Sequence, residues 1–182
     1  MPQLRVIRPA DANEVAGAWR VHLDGIGPTA IICSRQKLVV LEGTAERSGA
    51  GLPKGAYTLV DEGAQPLDLV LVATGSEVAV AVTARATLVE QGLSVRVVSM
   101  PSWDLLEAQP AEYRAAVLPP DRPTLAVEAG VRFGWERYAD DVVSIDRFGA
   151  SAPGDVVLRE LGITPEHVVE RALALLAVQS AS

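Results

Sequence analysis

At 182 residues with 49% hydrophobic side chains, the chain is long enough to bury a substantial core and should fold. The formal net charge of −7 argues against a nucleic-acid partner, because neutralising phosphates requires clustered Lys and Arg. The single cysteine, Cys33, excludes an internal disulfide and reads as a buried thiol, and two distant histidines match no zinc-site spacing. We see no signal-peptide or membrane-span run, so we expect a cytoplasmic protein that does not bind membranes.

The first 42 residues predict a βαβ unit. A strand over Leu4–Arg8 is followed by a helix from Asp11, with Glu14 in a capping-box position, and by a strand over Thr29–Cys33. The helix should bury one stripe, formed by Val15, Trp19 and Leu23. Two strands do not form a stable sheet alone, so residues 1–42 are expected to be the end of a larger α/β domain.

Residues 43–66 predict a linker, because glycine and proline interrupt every apolar period there. Only Ala56–Val60 has strand character, and we expect it to be an edge strand.

Residues 67–182 predict a three-layer αβα sandwich with a mostly parallel sheet, because short strands and helices alternate along the segment. The predicted strands are Leu69–Ala73, Ser94–Ser99, Thr124–Glu128 and Val142–Asp146. The predicted helices run from Glu77 to Gln91, from Trp103 to Leu118 with a break at Pro110, through Phe133–Ala139, from Ser151 or Pro153 to Leu161, and from Pro165 to about Ala177 with Thr164 as N-cap.

Arg35 is the strongest candidate site residue. It follows the second predicted strand directly, and open α/β sheets bind ligands beyond the carboxyl ends of their strands. Its guanidinium fork suits bidentate contact with a phosphate. The alternative is an ion pair with a nearby acid that steadies the linker.

Three other patterns are interpreted as structural. The segment Gly149–Pro153 nearly matches a Gly-x-Ser-x-Gly nucleophile elbow, but Pro153 replaces the last glycine, so Ser151 reads as a helix cap rather than a nucleophile with His167 as base. Thr74–Glu77 could cradle a phosphate, although helix initiation is favoured because Glu77 stands where an anion would bind. The adjacent pair Asp140 and Asp141 reads as a solvated face.

The chain resembles the carboxy-terminal portion of transketolases. Six segments carry this resemblance in order and spacing: Arg8–Glu14, Cys33–Leu38 with its Ser-Arg-Gln motif, Lys54–Tyr57, Ala73–Glu77, Val127–Gly130 and the Phe-Gly-Ala-Ser-Ala-Pro motif at Phe148–Pro153. The resemblance implies three parts: residues 1–42 end the pyrimidine-binding domain, residues 43–66 form a linker, and residues 67–182 form the complete C-terminal domain.

The same resemblance implies a function. Transketolases use thiamine diphosphate and a divalent metal, Mg or Ca, to move two-carbon ketol units between sugar phosphates. In that family the Ser-Arg-Gln arginine, here Arg35, grips the terminal phosphate of the substrate, and the C-terminal domain supports a homodimer. The cofactor-binding domains lie outside this sequence, so we expect the chain alone to be inactive and to bind no cofactor. Its partner would be the rest of a transketolase, in cis or as a separate subunit.

Alternatives remain open at this point. The chain could be a free-standing, non-catalytic α/β binding or assembly module, or a nucleotide-binding regulatory domain of flavodoxin type. It could also be a piece of a related 2-oxo-acid dehydrogenase β subunit or deoxyxylulose-phosphate synthase.

Overall fold

The computed structural model describes residues 3–61 and 66–180. Their strands are β1 Arg5–Ile7, β2 Thr29–Ile31, β3 Tyr57–Val60, β4 Leu69–Ala73, β5 Val95–Ser99, β6 Thr124–Val127 and β7 Asp141–Val143. The α-helices are α1 Ala12–Asp24, α2 Thr44–Gly51, α3 Glu77–Glu90, α4 Trp103–Glu107, α5 Ala111–Val117, α6 Gly154–Glu160 and α7 Pro165–Ser180, with 3₁₀ turns at Leu52–Lys54 and Trp135–Arg137.

The amino-terminal unit is a βαβ motif, as predicted. Strands β1 and β2 pair in parallel, with Arg5 opposite Thr29 and Ile7 opposite Ile31. The small core beneath them consists of Ile7, Ala18, Val21 and Leu52. Among the described residues this sheet has two strands.

The predicted buried stripe of α1 is wrong. Trp19 is 55% exposed and Leu23 is 76% exposed, whereas the helix buries Glu14, Ala18 and Val21. The small residue Gly17 explains the choice of face, because a Cβ there would already lie 3.3 Å from the Leu52 side chain. Close approach to the Leu52 turn therefore rotates the bulky side chains outward.

The expectation for Cys33 is also wrong, since its thiol is exposed. The strand ends at Ile31, two residues earlier than predicted, so Cys33 lies in the loop that follows.

The segment predicted as a linker contains a helix, α2, as well as the predicted edge strand. The sequence pattern did not predict this helix because it contains and is flanked by glycines. Gly43, with φ of 83°, precedes it and Gly51 ends it. Gly51 has a packing role, because the Tyr57 ring occupies the space that a Cβ would need. Strand β3 pairs antiparallel with β5 at one edge of the large sheet.

The large sheet has the strand order β3-β5-β4-β6-β7 and is parallel except at β3. Every residue of the central strand β4 is buried, as expected for a sheet covered on both faces. One face packs on α3 and α7, and the other on α4, α5 and the Trp135 turn. The three-layer αβα sandwich is therefore confirmed.

The helix predicted through Phe133–Ala139 is only a 3₁₀ turn at Trp135–Arg137, whereas the termini of α3 and α7 follow the sequence signals and that of α6 does not. Gly92, with φ of 88°, ends α3, and the Thr164 hydroxyl accepts a hydrogen bond from the His167 N–H as the N-cap of α7. The exception is α6, where Pro153 rather than Ser151 stands at the N-cap. Ser151 is exposed in the preceding turn.

The interpretation of Asp140 and Asp141 as a solvated face agrees with the exposure of Asp140 but not with Asp141, which is partly buried. The Asp140 carboxylate accepts a hydrogen bond from the Thr124 N–H at 2.8 Å, where β6 begins. Asp141 pairs with Arg171 of α7 at 2.6 Å. Both acids therefore fix the edge of the sheet to its neighbours. In the described part of the chain, no helix is long and apolar enough to span a bilayer.

Candidate functional site

The loop after β2 and the turn before α6 meet at a surface cavity of about 360 Å³. Arg35 and Gln36 form one wall. The opposite wall consists of Ala150, Ala152, Pro153, Gly154, Val157 and Leu158. The Ser-Arg-Gln and Phe-Gly-Ala-Ser-Ala-Pro motifs, about a hundred residues apart in the sequence, thus face each other across one cavity.

Gln36 brings these two segments into contact. Its side-chain amide lies against the backbone of Gly154, where an added Cβ would overlap it. A second cavity of about 190 Å³ is lined by Gln36, Ser34 and Cys33 and by the start of α1. Gln36 therefore lines both cavities.

The Arg35 side chain forms no ion pair with any of the residues in 3–61 and 66–180. The alternative interpretation, in which Arg35 steadies the linker through a neighbouring acid, finds no contact there. An exposed guanidinium that lines a cavity without a carboxylate partner retains all of its donors for an anionic ligand.

Sequence reasoning missed a buried ionic cluster at the junction between the βαβ unit and the large sheet. Arg8, directly after β1, donates to both oxygens of Glu128 at 2.6 and 2.7 Å and to Glu77 at 2.8 Å. The Glu77 and Glu128 side chains are 1% and 9% exposed. Burial alone would lower the pKa of Arg8, but the two carboxylates outweigh burial and raise it, so the guanidinium stays charged.

The three side chains of this cluster come from three of the segments that carry the resemblance, Arg8–Glu14, Ala73–Glu77 and Val127–Gly130. Glu77 also accepts hydrogen bonds from the Ala129 N–H at 2.7 Å and the Ser76 hydroxyl at 2.6 Å. The carboxylate of Glu77, at the start of α3, is thus already bound by Arg8, Ser76 and Ala129. This agrees with the interpretation of Thr74–Glu77 as a turn that initiates the helix. Its geometry offers nothing in favour of a nucleotide site.

A second buried acid, Glu14, was predicted only as a capping residue. Asp11 does accept from the Glu14 N–H at 3.0 Å, but the Glu14 carboxylate bonds to the Ala10 N–H rather than to Asp11. It also accepts from the Tyr57 hydroxyl at 2.7 Å and the Ser99 hydroxyl at 2.6 Å. Burial raises the pKa of Glu14, and the three hydrogen bonds offset part of that rise.

Another cavity, of about 420 Å³, lies at the amino ends of β6 and β7, where its lining includes Thr124 and Asp140. Glu107 in its wall is already bound to Arg114, Arg137 and the Tyr138 hydroxyl at 3.0, 3.0 and 2.8 Å. None of the predicted site residues lines this cavity.

The geometry gives no support to a serine nucleophile. The Nδ1 atom of His167 lies 2.8 Å from the Gly162 carbonyl, and no hydrogen bond joins its ring to Ser151 among the described residues. Residues 3–61 and 66–180 also place no three His, Cys, Asp or Glu side chains where they could hold a metal ion. The described chain therefore does not fit a divalent metal, and we derive no chemical step through one.

The fold defines the class as an αβα domain with a mostly parallel five-stranded sheet, preceded by a βαβ unit. The family model described as "Transketolase-like TK C-terminal domain" matches residues 55–164. The chain belongs to the transketolase family and is a carboxy-terminal portion of it.

Individual relatives agree with this assignment. Transketolase from Halalkalibacterium halodurans is 51% identical over 97% of this chain, which matches 27% of that protein. The structure of transketolase from Leishmania mexicana superimposes with a TM-score of 0.89 and 47% identity, over 97% of this chain and 26% of that one. A Pichia stipitis transketolase solved with sedoheptulose 7-phosphate also gives 0.89, at 37% identity over all of this chain and 26% of that one.

The chain thus spans about a quarter of the length of the relatives it matches. These matches favour transketolase over the dehydrogenase and synthase alternatives.

Proposed function

We propose that the chain is the carboxy-terminal segment of a thiamine-diphosphate-dependent transketolase, in which Arg35 binds the terminal phosphate of the sugar substrate. The observation that carries the proposal is the position of Arg35, which lines the cavity between the two signature motifs and pairs with no described carboxylate. A guanidinium there can form charge-assisted, bidentate hydrogen bonds with a phosphate. The complex of the Pichia stipitis relative with sedoheptulose 7-phosphate supports a sugar phosphate as the ligand.

The rest of the enzyme would supply the chemistry. The proposal places thiamine diphosphate and its Mg or Ca ion in domains outside this sequence, in cis or on a separate subunit, and assigns a structural and dimer-stabilising role to the C-terminal domain. In this proposal, residues 1–42 end the pyrimidine-binding domain, residues 43–66 are a linker and residues 67–182 are the C-terminal domain. The enzyme would form a homodimer in the cytoplasm. The chain alone would be inactive, because the cofactor performs the reaction in this family.

The apolar surface of the βαβ unit supports a missing partner domain. Its exposed large side chains are Trp19, Leu23, Ile26, Ile32, Val39 and Val40, between 51% and 98% exposed. A patch of this kind marks an interaction surface. In the complete enzyme, this apolar surface would be buried against the remainder of the pyrimidine-binding domain.

The experiment that tests the proposal joins the chain, in frame, to the amino-terminal part of Halalkalibacterium halodurans transketolase in place of the matching 181 residues. We expect the chimaera to transfer ketol groups between sugar phosphates, whereas the isolated chain and the truncated relative do not. A folded chimaera that binds thiamine diphosphate without transferring would favour the free-standing module instead. Transfer by the isolated chain would overturn the account of a missing catalytic part.

A further inference from the structure

The wall opposite Arg35 comes entirely from the large-sheet domain, and nothing so far assigns it a role. We propose that Gln36 and the turn at residues 150–154, together called the seat, hold Arg35 in position and thereby set the preference for phosphorylated substrates. This inference rests on the proposed function of Arg35. It makes the C-terminal domain a positioning element of the substrate site.

The geometry supports the seat in two ways. First, the seat residues Gln36, Ala150, Ala152, Pro153 and Gly154 line the same cavity as Arg35. Second, a Cβ at Gly154 would overlap the end of the Gln36 side chain, so Gln36 would have to move. Gly154 does not have a positive φ, so its conformation does not require glycine.

In this proposal, the position of Arg35 depends on the contact between Gln36 and Gly154, because Arg35 itself makes no ion pair with the described residues. Arg35 is exposed, is neighbour to Gln36 in a loop without regular structure, and makes no ion pair with the described residues. A flexible arginine loses rotamer freedom when it binds a phosphate, and a loop fixed on one side reduces that cost. In the proposed arrangement, the contact of Gln36 with Gly154 restricts the loop one residue from the guanidinium that would bind the phosphate.

Gly154→Ala is the sharpest variant, because it displaces Gln36 without weakening the fold. Alanine at this helical position is expected to preserve or slightly raise thermal stability. Gly149→Ala is the matched control: it lies in the same turn, also without a positive φ, and an added Cβ there contacts nothing within 4 Å. Gln36→Met retains the bulk of the side chain and serves as the conservative replacement, whereas Gln36→Ala removes the contact.

The first measurement uses the full 182-residue chain and follows the side-chain ¹⁵N signals of Gln36 and Arg35. Gly154→Ala should shift both signals, and Gly149→Ala should shift neither. If Gly154→Ala shifts the Gln36 signal while the Arg35 signal stays in place, the positioning role is overturned.

The second measurement uses the chimaera and compares KM for phosphorylated and unphosphorylated sugar acceptors. A misplacement of about 1 Å can lower an enzymatic rate about 100-fold. Because these variants shift Arg35 without removing it, we expect Gly154→Ala and Gln36→Ala to raise KM for phosphorylated acceptors by a smaller factor, about tenfold. KM for unphosphorylated acceptors and kcat should remain unchanged, and Gln36→Met should restore much of the loss.

Failure of this inference and failure of the proposed function give different results. If Arg35→Ala discriminates against phosphorylated acceptors but Gly154→Ala and Gln36→Ala do not, the seat is overturned and Arg35 keeps its role. If Arg35→Ala has no selective effect, the proposed function fails. When both hold, Gly154→Ala should add nothing to Arg35→Ala in the double variant, because the two act through one interaction. If the losses of Gly154→Ala and Arg35→Ala instead add up in the double variant, Gln36 and Gly154 do not act by positioning Arg35.

Discussion

The guanidinium of Arg8 donates to both carboxylate oxygens of Glu128, at 2.6 and 2.7 Å, across 120 residues of sequence. The same side chain also binds Glu77, so one arginine from the βαβ unit bridges the first turn of α3 and the end of β6. The backbone of Arg8 takes part as well, since its N–H donates to the Pro101 carbonyl and its carbonyl accepts from the Gly75 N–H. These contacts join the two units at this point.

Removing this arginine should be costly. Arg8→Ala leaves two buried carboxylates without their charge partner, and the expected loss is about 3–5 kcal/mol in the free energy of unfolding. Arg8→Lys should recover little, because an ammonium cannot reproduce the fork of contacts. Urea denaturation measures both. The control is Arg20→Ala, whose pair with Asp24 is 4.0 Å long and exposed, and which should cost less than about 0.5 kcal/mol. Equal losses for Arg8→Ala and Arg20→Ala would contradict a buried junction.

The buried acid Glu14 predicts a pH dependence of stability. Because its pKa is raised in the folded state above its ordinary value of 4.5, its contribution to stability is fully present below that value. The contribution is lost as the pH rises through the folded-state pKa. Glu14→Gln cannot ionise, and its amide can donate to the Tyr57 and Ser99 hydroxyl oxygens while its carbonyl accepts from Ala10.

Thermal unfolding from pH 4 to pH 8 would show this effect. The stability of the unmodified chain relative to Glu14→Gln should fall as the pH rises. Glu14→Ala, which leaves the Ala10 N–H without its acceptor, should be less stable than Glu14→Gln at every pH. Parallel curves for the unmodified chain and Glu14→Gln would show that Glu14 does not titrate in the folded protein over this range.

The apolar surface of the βαβ unit predicts self-association of the isolated chain. Leu23→Lys introduces a charge at a side chain that is 76% exposed, so it should reduce association with little change in the free energy of unfolding. Light scattering over a range of concentrations measures the effect. Leu173→Lys on α7, where the side chain is 39% exposed, is the control and should leave association unchanged. An equal effect of the two variants would mean that the βαβ surface is not the contact.

The predictions from sequence succeeded where the signal is local. The continuous apolar run of β4 and the Thr164 cap of α7 each depend on a few adjacent residues, and both are confirmed. The prediction of the buried stripe of α1 was wrong, because periodicity indicates that a helix has an apolar face but not which element packs against it. Gly17 brings α1 close to Leu52, and that distant contact decides which face is buried.

The candidate site shows the same contrast. Arg35 could be proposed from its place after a strand, and it lines a cavity in the loop after β2, while its role in phosphate binding stays a prediction. The contact between Gln36 and Gly154 could not be proposed, since no periodic pattern links residues that far apart. The partners of Arg8 were hidden for the same reason, although each stood inside a motif that the family resemblance had marked.

The most direct measurement of the central claim is kcat/KM of the Arg35→Ala chimaera for phosphorylated and unphosphorylated acceptors. A charged hydrogen-bonded pair contributes about 1.5–3 kcal/mol, so kcat/KM for phosphorylated acceptors should fall about 10-fold to 150-fold. The value for unphosphorylated acceptors should be almost unchanged, and Lys37→Ala, an exposed cation two residues away, should affect neither. Equal losses for both kinds of acceptor in Arg35→Ala would contradict the account.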